Sequence, residues 1–183
     1  GSPKERDRDD MLQENVIGTL QRALAGGGRT LYGIEVNTVA SLFAAIDKDG
    51  SGEIESKELR EALQRFDMKL LPEQLSTMMG LLDTDKSETI DFPELAAAFR
   101  AALAAELSAL SAAALAKRAS SARIGGTAVE AAQGGAEPAA ALTELIITHT
   151  LGDEMAAKAA AIVKRGQEAA HRSLNDSAVT LDE

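Results

Sequence analysis

Residues 47–58 read Asp47-Lys48-Asp49-Gly50-Ser51-Gly52-Glu53-Ile54-Glu55-Ser56-Lys57-Glu58. Oxygen-bearing side chains stand at the first, third, fifth, ninth and twelfth places, with glycine at the sixth. A calcium ion is hard and takes six to eight oxygens. Asp47, Asp49 and Ser51 point oxygens inward from a tightening turn, and Gly52 permits the positive φ that the turn needs. Glu53 offers its backbone carbonyl, Glu55 ligates directly or through water, and Glu58 closes the shell with two oxygens. Ile54 points away from the ion, toward a core. The alternative for this segment is an acidic turn between helices that holds no ion.

A second copy begins 36 residues later: Asp83-Thr84-Asp85-Lys86-Ser87-Glu88-Thr89-Ile90-Asp91-Phe92-Pro93-Glu94. Asp83, Asp85, Ser87, Asp91 and Glu94 repeat the ligand positions, Thr89 supplies the carbonyl of the seventh, and Ile90 repeats Ile54. Glu88 stands where glycine is expected. A non-glycine residue in the left-handed region costs about 1–2 kcal/mol, which weakens binding roughly tenfold without abolishing it. Two Ca2+ sites are therefore expected, the second weaker. The repeat predicts a helix-loop-helix in tandem, with Ile54 beside Ile90 in a short antiparallel pair that couples the sites.

The charge around these segments agrees. Residues 47–94 carry 13 acidic and 6 basic side chains, a balance of −7, against −10 for the chain of 183 residues. Crowded carboxylates repel, and a bound cation is the simplest reason to keep them together. The four Phe residues (Phe43, Phe66, Phe92 and Phe99) lie in or beside the same window. Elsewhere the apolar residues are largely Ala, so one modest core flanked by Ala-rich helix is expected. There is no Cys, and there are two His, which excludes disulfides, thiolate metal sites and a cysteine nucleophile. The acidic balance argues against nucleic acid, and no apolar run approaches the ~20 residues of a membrane span. No nucleophile with its base, phosphate loop or zinc signature is present, so an enzyme is not expected.

Working outward, residues 1–10 read as a tag scar (Gly1-Ser2-Pro3) and a disordered, charged lead. Residues 11–35 hold an amphipathic helix over about 10–25, on Leu12, Val16, Leu20 and Leu24, and a hinge at Gly26-Gly27-Gly28. A helix over 37–46 is capped by Asn37, another starts at Ser56, and Pro72 opens a third. The helix leaving the second loop continues through 101–119 as an extended exit helix. Residues 120–138 read as a Gly/Ala linker, 139–174 as two helices parted by Gly152, and 175–183 as a tail.

Residues 36–100 resemble a paired EF-hand lobe of the calmodulin superfamily, carried by the two twelve-residue loops and their flanking helical patterns. The fold class expected is all-α: a tandem EF-hand pair plus amphipathic, Ala-rich flanking helices. The resemblance implies a cytoplasmic setting, with a cytoskeletal association among the options. It spans sensors, buffers and structural light chains. Sensor lobes open an apolar groove, and Met68, Met78 and Met79 suit such a groove or an ordinary core. Flanking helices favour a regulatory module within a larger protein or assembly. Its partner would be an amphipathic helix, from another protein or from its own flanks at 10–25 or 139–161. The alternatives are a light-chain-like or cytoskeletal component with structural Ca2+, and a plain buffer. Lys158, Lys164, Arg165 and Arg172 form either a solvated basic face or a partner-binding one.

Overall fold

The helix entering the first loop, α2 (Val39–Ile46), begins where Thr38 takes up an extended conformation and caps it. Thr38 Oγ1 accepts from Ser41 N at 3.1 Å, while Ser41 Oγ accepts from Thr38 N at 3.0 Å. The cap is thus one residue later than the Asn37 expected. Nearly every residue of α2 is buried, so this short helix owes its stability to packing rather than to length. In this computed structural model, which describes residues 3–25 and 29–152, α2 is followed by β3 (Glu53–Ile54) and α3 (Ser56–Arg65). The duplicate runs α4 (Pro72–Leu82), β4 (Ile90–Asp91) and α5 (Phe92–Ser108). Pro72 starts α4, at a position where the missing N–H has no helical partner to lose. β3 and β4 pair antiparallel, Ile54 opposite Ile90 and Glu53 opposite Asp91, as the repeat predicts.

Phe43 of α2 and Phe92 of α5 meet edge to face, ring centroids 5.7 Å apart. Around them Ile54, Ile90, Leu59, Leu63, Met78, Leu95 and Phe99 form the main core. Met78 and Met79 are buried there. The amphipathic helix before the lobe, α1 (Pro3–Ala25), lies against α4 and α5. Its Val16, Ile17, Leu20 and Leu24 belong to the same cluster, and burying each contributes about 1.5–3 kcal/mol.

Several expectations are corrected. Residues 3–10, expected as a disordered lead, are helical and continuous with α1. Lys4–Asp7, Glu5–Arg8, Arg6–Asp9 and Arg6–Asp10 place opposite charges three or four residues apart, which supports a helix. A hairpin that was not anticipated, β1 (Arg29–Leu31) with β2 (Ile34–Val36), precedes α2. The exit helix does not run to 119. It stops at Ser108, and Ser111 caps a separate helix, α6 (Ala112–Ser121), by accepting from Ala114 N at 3.3 Å. The expected linker contains α7 (Gly126–Gln133), held by buried Val129, and α8 (Pro138–Leu151) follows.

The apolar residues of this half build a second cluster instead of decorating the first. Leu103, Leu107, Leu115, Ile124, Val129, Leu142, Ile146 and Ile147 pack together between α5, α6, α7 and α8. The break after Ser108 allows this, because the chain folds back and α6 lays Leu115 and Ala119 into the same cluster as Leu103 and Leu107. Arg100 of α5 ion-pairs with Glu144 of α8 at 3.1 Å. The expected helix over 153–174, its basic residues, the tail and the Gly26-Gly27-Gly28 hinge lie outside the described residues. No described helix is long and apolar enough to cross a membrane.

Candidate metal centre

Both loops begin at a helix C-terminus and end in the first turn of the next helix. Asp47 caps α2, and its N–H donates to the Phe43 carbonyl. Its Oδ1 accepts from Ser51 N at 3.0 Å and its Oδ2 from Gly52 N at 2.9 Å, so the turn closes on this carboxylate. Ser51 N also donates to Asp49 Oδ1 at 3.0 Å. From the far end, Glu58 Oε1 accepts from Lys48 N at 2.8 Å and Asp49 N at 3.2 Å, while its Oε2 accepts from Glu55 N at 3.1 Å. Carboxylate oxygens of Asp47, Asp49 and Glu58 come within 4.8 Å of one another. Ser51 Oγ reaches the Glu53 carbonyl at 2.9 Å, which brings the oxygens of the fifth and seventh places together.

The second loop repeats this network. Asp83 Oδ1 accepts from Ser87 N at 3.0 Å and Oδ2 from Glu88 N at 2.8 Å. Glu94 Oε1 accepts from Thr84 N at 2.7 Å and Asp85 N at 3.2 Å. Asp83, Asp85 and Glu94 form the second carboxylate cluster, and Ser87 Oγ donates to the Thr89 carbonyl at 3.2 Å. Glu55 and Asp91 stand outside the clusters. Asp91 Oδ1 accepts from Glu94 N at 2.9 Å and so caps α5, and Glu55 lines a groove with Lys57, Arg60 and Glu88.

The backbone departs from glycine chemistry where the sequence said it would. Gly52 has φ +90°, and Glu88, its counterpart, has φ +69°. In this left-handed conformation the Glu88 N–H reaches Asp83 Oδ2, beside the Ser87 N–H on Oδ1. The fourth position was missed: Gly50 has φ +66° and its counterpart Lys86 has φ +60°. The second loop therefore holds two side-chain-bearing residues in the left-handed region where the first has glycines. The signal was present in the spacing of Gly50 and Gly52.

The electrostatics differ between the loops. Burial pushes the Asp47 carboxyl up, with Asp49 and Glu58 adding to the push against the N–H donations of Gly52 and Ser51. At Asp83 desolvation also acts upward, but the N–H donations of Glu88 and Ser87 outweigh it and hold the carboxyl below the usual range. Glu94 is held low too: desolvation raises it, and the Asp91 N–H and the Thr84 hydroxyl and N–H prevail. The donor set is all oxygen, with three carboxylates converging at each loop. This set fits a hard divalent cation, whose charge would offset the desolvation and carboxylate repulsion that push Asp47 up. Soft metals find no thiolate here.

Residues 37–100 match the family model for an EF-hand domain pair. Troponin C of Tyrophagus putrescentiae is 44% identical over 52 residues, 28% of this chain and 34% of the relative. The 18 kDa flagellar outer-arm dynein light chain of Chlamydomonas reinhardtii is 40% identical over 60 residues, 33% of this chain and 38% of the relative. Calcium-binding protein SPEC 2C of Strongylocentrotus purpuratus is 38% identical over 55 residues, 30% of this chain and 36% of the relative. The chain thus spans about a third of the length of these relatives. No solved structure matches it. Residues 37–100, with their two acidic loops and the β3–β4 pairing between them, are an EF-hand domain pair of the calmodulin-like superfamily.

Proposed function

We propose that the chain is a calcium-binding regulatory module in which the two loops set the position of α3 and α5, and with them the docking of α1. Asp47, Asp49, Ser51, Glu53 and Glu58 would hold the first ion, with Glu55 direct or through water. Asp83, Asp85, Ser87, Thr89 and Glu94 would hold the second, with Asp91 in the same role as Glu55. A bound Ca2+ supplies the positive charge that lets the three carboxylates of each loop stay together. Glu58 and Glu94 sit in the first turns of α3 and α5, so each couples its loop to the helix that follows. The reading rests on one observation: α1 lies on α4 and α5, and its Val16, Ile17, Leu20 and Leu24 share a core with Ile54 and Ile90. A change of α5 angle reaches α1 directly.

A light-chain-like role is the second reading, favoured by the similarity to a flagellar dynein light chain. In that case Ca2+ is structural, the helical flanks are binding arms, and the setting is cytoskeletal. A calorimetric calcium titration of the apo protein in millimolar magnesium separates the two. Two sites, at least one tighter than about 10 μM, support regulation. Only millimolar binding, with no rise in apolar dye fluorescence on adding calcium, rejects it in favour of the structural role.

A further inference from the structure

The β1–β2 hairpin turns at Tyr32-Gly33, with Leu31 opposite Ile34. Both turn residues have positive φ, +49° and +82°, as a tight two-residue hairpin requires. Glycine is at ease there and tyrosine is not. The aromatic ring is thus carried at the tip of the turn in an unfavourable backbone state, and its surroundings give a reason. Lys48 Nζ lies 4.9 Å from the ring centroid and Arg65 Cζ lies 5.2 Å from it. Lys48 is the second residue of the first loop, and Arg65 is the last residue of α3. Lys48 Nζ also pairs with Glu61 Oε2 at 3.2 Å, one turn before Arg65. The hairpin makes another contact with the same helix end, where Arg29 stands over the Phe66 ring at 5.8 Å.

We propose that Tyr32 is a positioning residue for the first cation site, its ring tying the start of loop 47–58 to the far end of α3. The inference rests on the reading of that loop as a calcium site. Glu58 and Arg65 are seven residues apart on one helix, a rise of about 10 Å. A helix held at both its loop end and its far end cannot tilt freely about the loop. Glu58 then keeps its carboxylate against Lys48 N and Asp49 N, and less ordering is left to occur when an ion binds. The second loop does this differently. Its second residue, Thr84, donates its own hydroxyl to Glu94 Oε1 at 2.9 Å. Lys48 has no such short reach, and it is joined to α3 through Glu61 and the Tyr32 ring.

The test is the first-site calcium affinity of the full chain in a Glu94→Gln background, which silences the second loop, measured by chelator competition. Tyr32→Ala is expected to weaken this site about five- to thirtyfold, the worth of two cation–π contacts. Tyr32→Phe, which keeps the ring, should stay within about threefold of the parent. Arg65→Met removes one cation at a distance from the ligands and should weaken the site by a few fold. It keeps the question open to refutation even if Tyr32→Ala fails to fold. Tyr32 is the only tyrosine in a chain without tryptophan, so intrinsic emission reports this ring alone. It should change on calcium addition in the Glu94→Gln parent and stay flat when Glu58→Gln is added. A parent that binds calcium while Tyr32→Ala and Arg65→Met bind equally well overturns this inference alone. A Tyr32→Phe loss as large as that of Tyr32→Ala also overturns it, because the ring would then not be the operative group. A parent that shows no first-site binding overturns the calcium reading, and the inference with it.

Discussion

Thr89 Oγ1 donates to Glu53 Oε2 across 2.9 Å, joining the seventh residue of one loop to the seventh of the other. The bond flanks the Ile54–Ile90 pairing, and both isoleucines are fully buried. Each site therefore leans on a strand that belongs to the other. Ile90→Ala should cost about 2–4 kcal/mol in chemical denaturation. It should also weaken calcium binding at both loops in a titration. A loss confined to the second loop would show that the pairing does not couple the sites.

Glu58 receives three backbone N–H donations through its two oxygens. Glu58→Gln keeps the shape but removes the charge and turns one acceptor into a donor. Calorimetry should show first-site affinity falling by more than about tenfold, with the second site altered only through the strand coupling. An unchanged first isotherm would rule out residues 47–58 as a calcium loop.

Glu88 holds φ +69° at the place where Gly52 holds +90°. Glu88→Gly should relieve about 1–2 kcal/mol of backbone strain. If the strain limits ion binding, the second-site affinity rises roughly five- to thirtyfold. The same substitution at Lys86, φ +60°, should add a further gain in the double variant, because Gly50 occupies the matching place in the first loop. A second-site affinity insensitive to both changes would place the limitation elsewhere.

Gln21 Nε2 is buried on α1 with no hydrogen-bond partner among the described residues. Its neighbours along the helix, Ile17, Leu20 and Leu24, are core residues. Gln21→Leu removes the orphaned donor and should stabilise the protein by about 1–2 kcal/mol, a rise of a few degrees in thermal melting. A lower melting temperature would mean that the amide has a partner in solution, such as an ordered water.

Gly152 ends α8 at φ +75°, and a Cβ there would lie 2.7 Å from Thr38 Oγ1 and 2.8 Å from Thr38 Cβ. Thr38 caps α2, the helix that enters the first loop. Gly152→Ala should destabilise the chain by about 1–3 kcal/mol. It should also lower amide protection at the start of α2, as read by hydrogen exchange. Unchanged protection there would separate α8 from the first loop.

The loops were legible in the sequence because their chemistry is local. Twelve contiguous residues bring the carboxylates of the first, third and twelfth places together in each loop, and side-chain type decides which oxygen each offers. The strain at Glu88 and the Ile54–Ile90 pair followed from the same register. The helical stripe of α1 was readable too, although its start was not, because the charged lead offers opposite charges at helical spacing but no apolar pattern. The break after Ser108 escaped notice because Ala-rich sequence is equally content as one long helix or two short ones. Only packing Leu115 and Ala119 with Leu103 and Leu107 decides between them. The three-residue strands of the hairpin carry too little pattern to stand out, and the Tyr32 ring meets Lys48 and Arg65 only through folding. The sequence by itself determined the two acidic, oxygen-rich loops, because their spacing is a property of neighbouring residues. The tertiary structure alone decided what α1 covers, how the last helices cluster and what holds α3, because those contacts join residues far apart along the chain and depend on which surfaces remain to be buried.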